Sequence, residues 1–83
     1  MKKVSIYALS TCPWCKKTKK FFRERKIPFE YIDYDLASFE EREKILQEMQ
    51  EQGANGFPFV KIGDNVAVGY NPEEYSKIME LDN

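Results

Sequence analysis

Two hydrophobic periods follow one another in the first 25 residues. Along residues 3–9, one set of side chains (Val4, Ile6, Ala8) alternates with another (Ser5, Tyr7, Leu9). A period of two with apolar residues in both sets predicts a β-strand, β1, with core on both faces. From residue 13 to about residue 25 the spacing becomes helical and predicts α1, in which Trp14, Thr18, Phe21 and Phe22 recur at helical spacing with Cys15 on the adjoining line.

A second strand and helix follow the break at Lys26-Ile27-Pro28, since proline disfavours helix at the residue before it. Residues 29–33 are rich in aromatic and β-branched side chains and predict β2. Ser38 and Glu41 have the spacing of a capping box and predict the start of α2, which Gly53 ends in a left-handed conformation. The predicted inward stripe of α2 is Phe39, the stem of Arg42, Ile45, Leu46 and Met49.

The C-terminal third predicts a hairpin and a third helix. Residues 59–62 and 66–68 are short apolar runs, and Gly63-Asp64-Asn65 between them predicts antiparallel strands β3 and β4. Asn71 as cap and Pro72 at the first helical position open α3, with Tyr75, Ile78 and Met79 inward. The order βαβαββα, with a right-handed crossover between parallel β1 and β2, predicts one α/β domain over residues 1–83: a four-stranded mixed sheet with helices on both faces.

Composition and charge narrow the class of protein. The chain is 42% hydrophobic, too apolar for disorder, and has no apolar run near the ~20 residues of a membrane helix. The apolar stretch after Met1 to Lys3 is too short for a signal peptide, so we expect a cytoplasmic protein without a membrane partner. Residues 1–26 hold nine basic side chains and one acidic, against four and thirteen in residues 27–83. We interpret the basic cluster as the solvated face of α1 that steers acidic partners, and expect no nucleic-acid partner.

The two cysteines belong to one motif, Cys12-Pro13-Trp14-Cys15, between β1 and α1. Pro13 suits the first helical position, which makes Cys12 the cap residue among unpaired N–H groups. We therefore expect its pKa to fall from about 8.5 to roughly 3.5–7.5, with Lys16 as a further contributor, and Cys12 to act as a nucleophile. Cys15, one turn on and facing the core, is then the resolving thiol that attacks the Cys12 sulfur of a mixed disulfide. Pro13 restricts the helix start, and Trp14 offers a flat contact surface.

Two cysteines at this spacing are also compatible with three roles that involve no disulfide exchange. A C-x-x-C motif binds metal in small copper carriers. In those proteins a strand hairpin directly follows the partner strand of the first helix, whereas here α2 lies between β2 and β3. A structural disulfide would close too short a loop to add much stability. Two plain buried thiols are a third possibility. With no histidine in the chain, one copy lacks the four ligands of a structural zinc site.

Pro58 supplies a second candidate element. It precedes the β3 run and follows the Gly53 to Phe57 segment, a setting in which a cis peptide bond forms a tight turn.

Three segments together resemble the glutaredoxin family of the thioredoxin fold: Thr11 to Cys15, Gly56-Phe57-Pro58-Phe59-Val60, and Val68-Gly69-Tyr70-Asn71-Pro72. The resemblance covers essentially the whole chain. It implies a cis proline at Pro58 beside the cysteines and a main chain at Phe57 that pairs with the bound peptide or glutathione. Cys12 is then the nucleophile, Cys15 the resolving thiol, and Phe57 and Pro58 the substrate ledge, with Gly69, Tyr70 and Asn71 as further binding residues.

Departures from the glutathione-using members concern the electron donor. Those members commonly carry lysine at the position of Leu9, Thr-Val at Gly56-Phe57, and Gly-Gly followed by polar and acidic residues at Gly69 to Pro72. The Gly69-Tyr70-Asn71-Pro72 stretch is instead similar to the NrdH-type redoxins, which are reduced by thioredoxin reductase and donate electrons to ribonucleotide reductase. The C-P-W-C motif itself resembles glutaredoxins.

We therefore expect a monomeric thiol-disulfide oxidoreductase acting on protein or glutathione mixed disulfides. It would have no bound organic cofactor, with glutathione or thioredoxin reductase as electron donor and Trp14, Tyr70 and Tyr7 around the cysteines. The alternatives are an NrdH-type redoxin and a non-catalytic iron–sulfur carrier, in which two chains and two glutathione molecules hold a [2Fe–2S] cluster.

Overall fold

The computed structural model describes residues 2–80 and contains the predicted order of elements. The strands are β1 Val4–Ala8, β2 Phe29–Asp33, β3 Phe59–Ile62 and β4 Asn65–Val68; the helices are α1 Pro13–Glu24, α2 Phe39–Glu51 and α3 Pro72–Met79. A short 3-10 helix at Tyr34–Leu36, which the sequence pattern did not predict, joins β2 to α2. The prediction for β4 was wrong at one end, because Asn65 pairs with Ile62 and belongs to the strand.

The sheet has the order β2-β1-β3-β4 and is mixed, as predicted. Strands β1 and β2 are parallel, while β3 is antiparallel to both β1 and β4. Because side chains alternate along each strand, the sheet separates two cores. The larger packs Val4, Ile6 and Ala8 against α1 and α3, and the smaller packs Phe59 against Ile45 and Met49 of α2.

The cap of α2 is confirmed, but its inward stripe was partly wrong. Ser38 and Glu41 form the reciprocal capping box, in which the Ser38 hydroxyl accepts from the Glu41 N–H at 3.2 Å. Ile45 and Met49 are buried, whereas Arg42, Leu46 and Phe39 are exposed, Phe39 by 68%. This small sheet offers α2 a contact only one line of side chains wide, so the outer apolar residues remain in water.

Helices α1 and α2 end in the same way with different residues. Past α2, the Ala54 N–H donates to the Met49 carbonyl and Gly53 has the left-handed φ of 71° that was predicted. Past α1, the Ile27 N–H donates to the Phe22 carbonyl at 2.9 Å, and Lys26 takes the left-handed position with φ 57°. Both are Schellman motifs. Helix α1 therefore ends at Glu24, close to the predicted end at about residue 25 and four residues before Pro28.

Candidate active site

The Cys12 to Cys15 motif lies at the junction of β1 and α1, as predicted. Cys12 is the extended cap residue of α1, with φ −82° and ψ 119°, and Pro13 occupies the first turn. The Cys12 N–H donates to the Leu9 carbonyl at 3.1 Å, and the Cys12 carbonyl accepts from the Lys16 N–H at 3.1 Å. These main-chain bonds fix the first turn of the helix against the end of the strand.

The two thiols occupy different environments. Cys12 is partly exposed, and Cys15 is fully buried among the residues of the larger core. The Sγ of Cys15 accepts a hydrogen bond from the Leu9 N–H at 3.4 Å. Both are free thiols in this structure.

The pKa values of these thiols shift in opposite directions. Burial raises the pKa of Cys12, but hydrogen bonds from the Cys15 thiol and the N–H groups of Cys15 and Trp14 outweigh it, so the net pKa is below the ordinary value. The Cys12 side chain makes no capping hydrogen bond of regular geometry, but its position at the start of α1 adds the field of the helix to these contacts. Burial, with Cys12 beside it, raises the pKa of Cys15 to about 12. Lys16 is exposed on α1, and its contribution to Cys12 stays a prediction.

The Phe57–Pro58 peptide bond is cis, as predicted. Pro58 is buried, and its carbonyl accepts a 2.8 Å hydrogen bond from the N–H of Gly69, whose φ is 86°. Cys12, Phe57 and Tyr70 are all partly buried against the larger core. One residue from each of the three sequence segments thus contacts the larger core.

Aromatic residues flank the motif, with one correction to the prediction. The rings of Trp14 and Tyr70 stack at 5.8 Å with 26° between their planes, and the Lys17 ammonium lies 4.5 Å from the Trp14 ring. Tyr7, expected near the cysteines, lies on the opposite face of the sheet. It stacks there on Phe59 because its position in β1 has the opposite parity to Ala8.

Asn71 does not present a free side chain to the site, because its amide oxygen accepts from the Glu74 N–H at 3.2 Å and caps α3. Tyr75 reaches from α3 toward the loop: its hydroxyl donates to the Gly69 carbonyl and lies 3.2 Å from Thr18 Oγ1. Thr18 lies 3.0 Å from the Trp14 carbonyl, so this buried pair connects the motif helix to Gly69.

Two polar contacts of the site were not predicted from the sequence. Asp35 in the 3-10 helix accepts from the N–H of Ser10 at 2.9 Å and also from its hydroxyl, anchoring the loop before Cys12. Lys19, one turn after Cys15, pairs with Asp33 at 3.1 Å, and both side chains are largely buried. The sequence did carry a signal for the buried contact between Thr18 and Tyr75, because a polar residue on an apolar helical stripe requires a buried partner. Asp35 and Asp33 lie far along the chain from their partners, Ser10 and Lys19, so no local sequence pattern indicated these contacts.

Within residues 2–80, no group of three or more metal-ligating side chains converges, and none of the helices has the length and hydropathy of a bilayer crossing.

Fold and site together define a class: thioredoxin-like α/β domains with a redox dithiol at the start of the first helix. A glutaredoxin family model matches residues 4–67. The chain belongs to the glutaredoxin family.

Similar proteins agree with this assignment. A glutaredoxin-like 8.6 kDa protein of Clostridium pasteurianum, encoded in a rubredoxin operon, is 34% identical over 93% of this chain and 97% of its own. The crystal structure of the Archaeoglobus fulgidus glutaredoxin is 36% identical, covers 95% of this chain and 87% of its own, and has a TM-score of 0.84. The Escherichia coli NrdH-redoxin, described as glutaredoxin-like with a thioredoxin-like activity profile, is 26% identical over 98% and 96%, with a TM-score of 0.75.

Proposed function

We propose that this protein is a dithiol thiol-disulfide oxidoreductase in which Cys12 is the nucleophile and Cys15 the resolving thiol. The observation that carries the proposal is the different placement of two thiols within one turn of helix: Cys12 is the partly exposed cap residue of α1, and Cys15 is fully buried. The Cys12 pKa is lowered at a partly exposed position, while burial raises that of Cys15 to about 12. Because the thiolate is the attacking species, this difference supports Cys12 as the thiol that attacks first.

The reaction has two exchange steps. The Cys12 thiolate attacks one sulfur of the substrate disulfide, forming a mixed disulfide and releasing the other substrate sulfur as a thiolate that takes a proton. Cys15 then loses its proton and attacks the Cys12 sulfur, which releases the second substrate thiolate. The substrate gains two electrons and two protons, and the protein ends with a Cys12–Cys15 disulfide. A thiol or dithiol donor reverses the exchange and restores both thiols.

The substrate ledge in this proposal is the Phe57–Pro58 segment. Phe57 lies two residues before β3, outside the pairing with β1 that begins at Phe59, and packs against the same core as Cys12. An extended substrate pairing with the Phe57–Pro58 segment would have its disulfide at the start of α1, with Trp14 and Pro13 next to the attacking sulfur.

For the electron donor we propose thioredoxin reductase in preference to glutathione. Tyr70 stacks on Trp14 and Asn71 caps α3, so the stretch that would hold the γ-glutamyl end of glutathione makes internal contacts. The thioredoxin-like activity profile named for the E. coli NrdH-redoxin supports the same choice. The resemblance of the Gly69 to Pro72 stretch to NrdH-type redoxins makes ribonucleotide reductase a candidate acceptor. The test is NADPH consumption by the oxidised protein. We expect consumption with thioredoxin reductase alone, and a requirement for glutathione with its reductase would overturn this choice of donor.

The cysteine roles are tested with single substitutions. Cys12→Ser should abolish reduction of hydroxyethyl disulfide. Cys15→Ser should still attack and accumulate a mixed disulfide, seen by intact mass as one adduct on Cys12. Equal loss of the attack step in both variants would contradict the roles.

Visible absorption after anaerobic purification distinguishes the oxidoreductase from the alternative, an iron–sulfur carrier. The proposal expects a colourless monomer.

A further inference from the structure

A groove of about 440 Å³ begins beside the Trp14–Tyr70 stack and runs along the outer side of α1. Its apolar surface comes from Phe21, Tyr70 and Pro72. Its charged side chains are Lys17, Lys20, Arg25 and Glu24, a net charge of two positive. The groove therefore combines an apolar surface with a basic rim.

Within residues 2–80, the cations of this groove form no salt bridge. In the described part of the chain, the ion pairs of residues 1–26 use Lys3 and Lys19, and none uses Lys17, Lys20 or Arg25. Arg25 is held in place: its guanidinium lies 3.8 Å from the Phe21 ring and donates to the Phe21 carbonyl at 3.3 Å. A preorganised cation of this kind loses less side-chain entropy when it binds an anion.

The groove is continuous with the dithiol site through Tyr70. This ring lines the groove and also stacks on Trp14, which lies between the two cysteines. A polypeptide whose disulfide is held at Cys12 therefore has a path over Trp14 and Tyr70 into the groove. Residues 27–83 hold thirteen acidic and four basic side chains, so the positive charge of this protein is concentrated in residues 1–26.

From this placement we infer that the groove binds an acidic segment of the protein substrate, next to its reactive disulfide. The inference rests on the proposed function and adds a substrate class to it. Charge complementarity identifies the occupant: carboxylates pair with the basic rim, and an apolar side chain covers Phe21 and Tyr70. We favour a protein over a nucleic acid because the groove adjoins a site whose chemistry requires a disulfide, and because Glu24 faces into it.

The test compares three disulfide-bonded peptides of equal length, flanked by acidic residues, by their amides, or by lysines. We expect kcat/KM to be highest for the acidic peptide, by about fivefold over the amide peptide, with the difference lost at high salt. Lys20→Glu and Arg25→Glu should each lower kcat/KM for the acidic peptide by about fivefold and leave the amide peptide unchanged. Lys44→Glu makes the same charge change on exposed α2, across the sheet, and should have no effect.

Hydroxyethyl disulfide separates the two levels of the proposal. If the wild-type protein fails to reduce it, the proposed function fails. If the protein reduces it but treats the three peptides alike, or if Lys44→Glu acts like Lys20→Glu, the groove inference fails and the function stands. Competition by a single-stranded oligonucleotide that binds more tightly than the acidic peptide would also overturn it. If a charge-reversal variant unfolds, Lys20→Gln and the salt dependence of the wild-type protein test the groove in its place. Each should lower kcat/KM for the acidic peptide, and no effect of either would overturn the inference.

Discussion

The main-chain N–H of Leu9, just past the end of β1, donates a hydrogen bond to the buried Sγ of Cys15. This bond holds the Cys15 sulfur one turn along the helix from Cys12. The Cys15 thiol beside Cys12 is in turn one of the groups that lower the pKa of Cys12. The reactivity of the exposed thiol therefore depends on the placement of the buried one.

Removing the Cys15 donor should raise the pKa of Cys12. In Cys15→Ala the proton donated to the Cys12 sulfur is lost, whereas Cys15→Ser retains an O–H in its place. We expect the midpoint of iodoacetamide alkylation to move to higher pH in Cys15→Ala and to move less in Cys15→Ser. Mass spectrometry of timed samples across a pH series measures it, and identical midpoints in the wild type and Cys15→Ala would refute this coupling.

The Tyr75 hydroxyl should stabilise both the fold and the Gly69 loop. Tyr75→Phe leaves the Gly69 carbonyl without this buried donor and Thr18 without one of its partners. We expect a loss of about 1–3 kcal/mol in the free energy of unfolding, measured by urea denaturation. Tyr31→Phe removes a hydroxyl from a residue that is 50% exposed and should cost less than ~0.5 kcal/mol. Equal effects of the two variants would exclude the hydrogen bond as the cause.

Substitutions at the left-handed residues that end α1 and α2 should change the free energy of unfolding in opposite directions. Gly53→Ala puts a Cβ at φ 71° in open space, so only backbone strain opposes it, and we expect a loss of about 1 kcal/mol. Lys26→Gly relieves strain at φ 57° and should gain up to about 1 kcal/mol, reduced by the greater freedom of glycine in the unfolded chain. Thermal unfolding measures both, and a lower Tm for Lys26→Gly would contradict the assigned strain.

Glu48 connects α2 to the sheet through a polar cluster. It lies 2.7 Å from both Lys61 Nζ and the Tyr7 hydroxyl, and Lys61 also donates to Tyr7 at 3.0 Å. Burial raises the pKa of Glu48, but the bonds from Lys61 and Tyr7 outweigh it and the net pKa is lowered. The resulting stability is present above the ordinary pKa of 4.5 and is lost as the pH falls below it.

Glu48→Gln should therefore cost about 1 kcal/mol at pH 7, the upper range for a partly exposed ion pair, and progressively less below pH 4.5. Urea denaturation at a series of pH values measures this difference. Glu43→Gln, an equal charge change at an exposed position of α2, is the control and should show no such cluster-dependent loss. A cost for Glu48→Gln that is constant with pH would show that the ion pair is not its source.

Local signals in the sequence predicted most of the elements of the fold. The period of β1, the capping box at Ser38 and the Asn71-Pro72 start of α3 each depend on residues close together in the chain, and all three are confirmed. The position of Cys12 at the start of α1 was predictable for the same reason, because Pro13 fixes the first turn. The prediction that Phe39 and Leu46 face inward was wrong, because an apolar pattern does not reveal how wide a surface the sheet presents to α2.

By itself, the sequence determined the order of elements, the cis Pro58 setting and the position of the Cys12–Cys15 motif at the start of α1, since these follow from neighbouring residues and fixed backbone preferences. Tertiary structure alone decided which distant groups meet: Ser10 with Asp35, Lys19 with Asp33, and Tyr75 with Gly69. It also decided that Tyr7 lies away from the cysteines and that Tyr70 joins the dithiol site to the basic groove. The physical reason is that such contacts depend on strand parity and helix packing, which form only when the whole sheet assembles.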